Sequence, residues 1–296
     1  MNNLLVAVET NDESQHIYAR GVQMANAKRW SLNLLTVIEP IRYIYSDLDF
    51  SPLVEFADGW QAQRAQQARC CLTKLAPELG EDQRRVEEGN PVVTIDLVAG
   101  ELDAELVVMG LHNRHGLGRM LGSTTHGLLN HTERSVLAVH PESGTESYER
   151  VLIAVDTSEC AYDVLRHALP FAEQAKSVEI VSVTAPIMNL IPTPEATSGL
   201  AYSMGDLSRE ILAGIRDMQK ARAVDVGYVN PKVTVKEGHS TNEIVELAAQ
   251  SNADLIIMGN KTRSTLSRLL LGSTTHGVLN RAPCDVMVYR VPQEAS

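Results

Sequence analysis

The chain is built twice, and that duplication limits its possible folds more than any other feature. AELVVMGLHNRHGLGRMLGSTTHGLLN, residues 104–130, returns as ADLIIMGNKTRSTLSRLLLGSTTHGVLN, residues 253–280. The match runs through both halves. LLVAVETNDES from Leu4 aligns with VLIAVDTSEC from Val151, placing Glu9 over Asp156. Val37 falls over Val183, Gly89 over Gly238, Gly110 over Gly259 and Gly122 over Gly272. The offset drifts only between 146 and 150 residues from end to end, so a whole domain is repeated. The copies are expected at residues 1–141 and 150–292, joined by the short polar stretch ESGTESYE, residues 142–149.

Each copy alternates apolar runs with helical patterns. LLVAV, LNLLTVI, ELVVMG and SVLAV in the first copy are Val-, Leu- and Ile-rich, as strands buried on both faces are. VLIAV, VEIVSVT, VTVKEG, DLIIMG and VMVYRV do the same in the second. Between them, Ala161, Val164, Leu165, Ala168, Leu169 and Ala172 keep helical spacing after a candidate cap at Ser158, and Ile17, Tyr18, Gly21, Val22 and Ala25 form the matching stripe. Longer helices are expected from about Val54 to Leu75 and from about Ser203 to Ala223. The pattern predicts an α/β chain of two tandem Rossmann-like domains. Each would be a mainly parallel five-stranded sheet flanked by helices, with ligands at the carboxyl ends of the strands.

Composition narrows the function classes. The net charge is −11; residues 1–141 carry 12 basic and 18 acidic side chains and the remainder 14 and 19, so neither half has the basic character of a nucleic-acid binder. No apolar run approaches the ~18 residues that cross a membrane, and Met1-Asn2-Asn3 leads into LLVAVE without a basic leader segment. Cys70, Cys71, Cys160 and Cys284 have neither Cys-x-x-Cys spacing nor the density of a disulfide scaffold, which fits a reduced cytoplasm. The adjacent Cys70 and Cys71 fall in a helical pattern and read as packing residues.

The repeated strand–Gly–loop–Gly-Ser-Thr-Thr segment carries the chemistry. A strand that delivers its end to a helix amino terminus presents free N–H groups and the positive dipole end to an anion such as phosphate. Gly-Ser-Thr is equally a plain turn with an N-cap, and only its recurrence after the same strand favours the anion reading. Other constellations are weak. His112-x-x-His115 with His126 or His131 has metal-ligand character, but the second copy lacks the first pair, and lone surface histidines account for them. There is no Gly-x-Ser-x-Gly elbow, no Walker A pattern and no Gly-x-Gly-x-x-Gly after the first strand. Arg114, Arg119, Arg263 and Arg268 are loop residues able to counter phosphate charge or simply to face water.

With these pieces placed, the chain resembles the universal stress protein family in its tandem two-domain form, over essentially its whole length. Members that bind ATP carry Gly-x2-Gly-x9-Gly-Ser/Thr after the fourth strand and an Asp at the end of the first. The second copy has Gly259, Thr262, Gly272 and Ser273 at that spacing, with Thr262 in place of the second Gly, and its aspartate is Asp156. The first has Gly110, Asn113, Gly122 and Ser123 with a loop one residue shorter, and Glu9 stands for the Asp. Asn113 accepts the left-handed region better than Thr262, whereas the longer Glu9 crowds a docked ribose or base.

The resemblance therefore implies a nucleotide site made by Asp156 and Val183 at the adenosine end, Gly259 and Thr262 over ribose and phosphates, and Gly272, Ser273 and Thr274 on phosphate. Glu9, Val37, Gly110, Asn113, Gly122, Ser123 and Thr124 make a weaker counterpart. The implied ligand is an adenine nucleotide, ATP or AMP, with Mg²⁺ accompanying ATP. The implied function is a cytoplasmic stress-response regulator, not an enzyme beyond weak ATP hydrolysis. Its domains would pair into an internal pseudo-dimer through Val136–His140 and Val286–Tyr289, with further homodimerisation open. Two other readings stay open, a nucleotide-free interaction module and a slow ATP hydrolase with Asp156 as its carboxylate.

Overall fold

The first strand begins at the third residue, and its apolar run Leu4-Leu5-Val6 is wholly removed from water. The computed structural model describes residues 2–11, 13–40, 51–111, 123–186, 201–260 and 271–290, without the side chains of 51–58 and 201–205. The chain divides into two units, Met1–Pro141 and Glu142–Ser296.

In the first unit the order is β1 (Asn3–Ala7), α1 (Ser14–Lys28), β2 (Ser31–Ile38), α2 (Ser51–Leu75), β3 (Arg84–Glu88), α3 (Pro91–Glu101), β4 (Ala104–Gly110), α4 (Ser123–His131) and β5 (Ser135–Val139). In the second it is β6 (Arg150–Ala154), α5 (Cys160–Ala172), β7 (Ser177–Thr184), α6 (Ala201–Val226), β8 (Lys232–Glu237), α7 (Ser240–Gln250), β9 (Leu255–Asn260), α8 (Ser273–Arg281) and β10 (Asp285–Arg290). The strands lie in the order β3-β2-β1-β4-β5 in one unit and β8-β7-β6-β9-β10 in the other. Every pairing within these two sets is parallel, as strand–helix alternation requires. The inner strands β1 and β9 are buried on both faces, which is why they read as unbroken apolar runs.

Four details differ from the sequence reading. RRVEE forms β3, an edge strand whose one apolar residue, Val86, packs against Ile38, Ala65 and Ala68. Helix α5 starts at Cys160 with Glu159 as its N-cap and no side-chain cap bond, so Ser158 belongs to the preceding turn and does not cap the helix. Cys70 and Cys71 are exposed, because the buried face of α2 runs through Ala65, Ala68 and Leu72. The polar linker is shorter than expected. Tyr148 is buried and its hydroxyl donates to Asp285 Oδ2 at 2.7 Å, while the Glu149 and Arg150 amides donate to Asp254 at 2.9 and 3.0 Å.

Glycines of the repeat have separate structural duties. Gly89 and Gly238 follow β3 and β8 at φ 156° and 148°, conformations that strain a side chain, and hand the chain to α3 and α7. Gly127 and Gly277 let α4 and α8 approach their neighbours: a Cβ at Gly277 would sit 2.5 Å from Thr241 Oγ1, and one at Gly127 2.6 Å from Val92 Cγ2. Among the described residues no helix is long and apolar enough to cross a membrane.

Candidate functional site

In the second unit the sheet is extended from β6 in both directions, by β7 on one side and by β9 on the other. Chains leaving neighbouring strands in opposite directions open a crevice at their carboxyl ends. A cavity of about 180 Å³ lies there. Its floor is apolar, from Ala154 at the end of β6 and Val155 after it, Val181 and Val183 on β7, and Met258 on β9. Helix α5 adds Ala161 and Val164, and α7 adds Ile244. Polar atoms reach it from Asp156, Cys160, Ser240, Thr274 and Thr275. A pocket lined by both apolar and polar groups suits a small organic ligand that offers an apolar face and hydrogen-bonding atoms.

Asp156 stands at the rim, exposed, in the turn between β6 and α5. Its Oδ1 accepts from the Ser158 amide at 3.0 Å and the Ser158 hydroxyl at 2.6 Å. This turn fixes the carboxylate plane and leaves Oδ2 without a hydrogen bond from any described residue. Gly259, half-buried near the end of β9, pairs in register with Tyr289.

Gly272 is the N-cap of α8, at φ −60° and ψ 144°. Any residue adopts that conformation, and an added Cβ would meet nothing closer than Asn260 Oδ1 and Thr275 Oγ1, both at 3.8 Å. Neither backbone nor packing among the described residues therefore requires glycine there. The Gly272 amide donates to Asn260 Oδ1 at 3.4 Å. Asn260 is 3% exposed, and its amide nitrogen has no acceptor among the described residues. Because Gly272 supplies no capping side chain, the first-turn N–H groups of α8 lack their usual side-chain acceptor.

Asp156, Val183, Gly259 and Thr274 therefore share one cavity wall, while Gly272 and the exposed Ser273 lie at the amino end of α8 beside Thr274. Thr262, Arg263 and Arg268 lie outside the described residues. Residue-by-residue reading missed Cys160, Ser240 and Thr275 in the wall; Ser240, two residues past the repeated Gly238, carried a positional signal that was available.

The first unit places its counterparts differently. Glu9 is exposed, and its Oε2 accepts from Asn11 Nδ2 at 3.3 Å, while the Ser14 hydroxyl donates to the Glu9 carbonyl. Val37 is half-buried in β2. Gly110 is buried at the end of β4, where its carbonyl accepts from Thr125 Oγ1 at 2.8 Å. Ser123, exposed, and Thr124, half-buried, open α4. Asn113, Gly122, Arg114, Arg119, His112 and His115 lie outside the described residues. Among the described residues no three His, Cys, Asp or Glu side chains are grouped to hold a metal ion.

Comparison with known proteins agrees with this architecture. The model of the universal stress protein family matches twice, over residues 1–140 and 147–290. A universal stress protein of Mycobacterium tuberculosis is 27% identical over 269 residues, covering 86% of this chain and 87% of that one. One from Methanocaldococcus jannaschii is 28% identical over 156 residues, covering 51% of this chain and 88% of its own. Among solved structures, a functionally unknown protein from Pseudomonas aeruginosa superposes with a TM-score of 0.65 at 17% identity, over 98% of this chain and 92% of its own, a likeness of fold.

Proposed function

Because the chain belongs to the universal stress protein family, we propose that its second unit binds an adenine nucleotide, ATP or AMP, and that occupancy serves as a signal in a cytoplasmic stress response. The observation that carries this reading is convergence. Asp156, Val183, Gly259 and Thr274 come from four separate stretches of the sequence, and all four line one cavity at the switch point of the sheet. The apolar floor suits the base, and the Asp156 carboxylate at the rim suits ribose hydroxyls. The uncapped N–H groups of α8, with its positive dipole end, suit phosphate, and a triphosphate would bring Mg²⁺ with it.

The first unit is the weaker partner in this proposal. Glu9 carries one more methylene than Asp156 and is engaged by Asn11. The test is mass spectrometry of small molecules released when freshly purified protein is denatured, with titration calorimetry of the stripped protein. One adenine nucleotide per chain is the expected result. None released, and no heat with ATP and Mg²⁺, refutes nucleotide binding and leaves a protein-interaction module.

A further inference from the structure

The Asp156 turn does not stand on its own residues. Two buried polar side chains of α6, more than 60 residues away in sequence, hold its backbone. Gln219, 0% exposed, donates from Nε2 to the Asp156 carbonyl at 2.8 Å. Arg222, 6% exposed, donates from Nη1 to the carbonyls of Thr157 at 3.2 Å and Ser158 at 3.0 Å, and from Nη2 to Glu159 Oε1 at 3.0 Å. The guanidinium also lies 5.4 Å from the ring centroid of Tyr162, in the first turn of α5. Four consecutive residues, Asp156 to Glu159, are thus tied to one helix face.

This arrangement is costly as a means of stability alone. Gln219 Oε1 is buried with no partner among the described residues, and a guanidinium taken out of water loses its hydration. The duplicated unit carries different side chains at these two positions. Counted back from the last residues of α2 and α6, Leu75 and Val226, Gln219 corresponds to Ala68 and Arg222 to Cys71. Ala68 packs in the core and Cys71 faces water. There the turn after β1 is closed locally, by Asn11 and Ser14.

We propose that Gln219 and Arg222 are positioning residues, which hold the Asp156 turn in the geometry that receives the nucleoside end of the ligand. They make the second unit the working site. The inference rests on the nucleotide reading above. Pre-set backbone reduces the ordering cost of binding, so the effect belongs in affinity and not in folding.

The test uses the full chain with Gln219→Met, which keeps length and removes the amide, and Arg222→Met, which keeps the apolar stem. ATP with Mg²⁺ is titrated by calorimetry into each variant, in the parent and in an Asp156→Ala background, with thermal unfolding alongside. Each substitution is expected to weaken ATP about tenfold in the parent, with no drop in the melting temperature of Gln219→Met. In the Asp156→Ala background either change is expected to shift affinity by less than about twofold, the non-additivity of residues that act through one another. Faster amide exchange at Thr157–Cys160, with the rest of the unit unchanged, is the accompanying structural signature. Unaltered affinity in both folded variants overturns the positioning role while leaving nucleotide binding intact, as does an equal loss in both backgrounds. A parent chain that binds no ATP overturns both.

Discussion

Gly272→Asp separates folding from binding. The backbone at Gly272, φ −60° and ψ 144°, is open to Asp without strain, and the nearest atoms to an added Cβ are at 3.8 Å. Asp is a favoured N-cap where Gly is only adequate, a gain of a few tenths of a kcal/mol, and its charge at the positive end of α8 adds about 0.3–1 kcal/mol. The fold should therefore be unharmed or slightly stabilised. Binding should suffer twice. The new carboxylate takes the N–H of Thr274 or Thr275, the donors that phosphate needs, and it sets a negative charge beside the phosphate. Two unit charges ~4 Å apart at an effective dielectric of ~20 repel by ~4 kcal/mol, which screening at physiological salt reduces. A loss of roughly tenfold to a thousandfold in ATP affinity follows, at ~1.4 kcal/mol per tenfold. Calorimetry with ATP and Mg²⁺ measures it, urea unfolding followed by circular dichroism tracks the fold, and part of the loss should recover at ~1 M salt. A stable Gly272→Asp chain with parental ATP affinity would refute phosphate docking at α8.

Three further outcomes test the packing that supports the site. Gly277→Val drives a side chain into Thr241, whose Oγ1 and Cγ2 already lie 2.5 and 2.7 Å from an added Cβ; a loss of ~1–3 kcal/mol is expected in thermal unfolding, with partial recovery on adding Thr241→Ala. Tyr148→Phe removes a buried hydrogen bond to a carboxylate, so urea unfolding should show ~1.5–3 kcal/mol lost, and an unchanged midpoint would mean that the end of the linker is not anchored. Tyr18 and Tyr228 are both held above the ordinary tyrosine value of 10, chiefly by burial, with a hydrogen bond to Glu78 adding at Tyr18 and the Glu173 charge at Tyr228. The folded state thus holds these protons more tightly than the unfolded, so the stabilisation is complete below pH 10 and lost as pH rises beyond it. Tyrosinate absorbance should show both ionising only as the chain unfolds, and replacing both by Phe should flatten the alkaline fall of the urea midpoint.

Much of the fold was legible because parallel strands covered on both faces must be apolar at every position. Leu255, Ile256 and Ile257 are wholly removed from water. Where a strand lies at an edge that signal fails, and RRVEE in β3 carries one apolar residue where the central strands carry four or five. Adjacent cysteines in a helical pattern were misread because the buried stripe of α2 passes through Ala68 and Leu72 and turns positions 70 and 71 outward. Ser158 has the chemistry of a cap, yet Asp156 engages both its amide and its hydroxyl, and the helix starts one residue further on.

The site divides along a similar line. Motif spacing finds residues whose place is fixed by the end of a strand or the start of a helix: Asp156, Val183 and Gly259 at strand ends and Thr274 in the first turn of α8 line one cavity for that reason. It does not find what holds them. Gln219 and Arg222 lie in a helix rich in polar residues, where each looks like part of the solvated face, and the packing of α6 against α5 and the sheet removes them from water. The duplication turns that difficulty into an argument. The same helix face exists in the other unit, where Ala68 occupies the place of Gln219 and the Glu9 carbonyl accepts from the Ser14 hydroxyl. If these helix positions served folding alone, the apolar choice would suit both units, because a buried amide with an unpartnered oxygen costs stability. Gln219 and Arg222 hold the turn that carries Asp156 at the mouth of the cavity, and the proposed positioning role accounts for both.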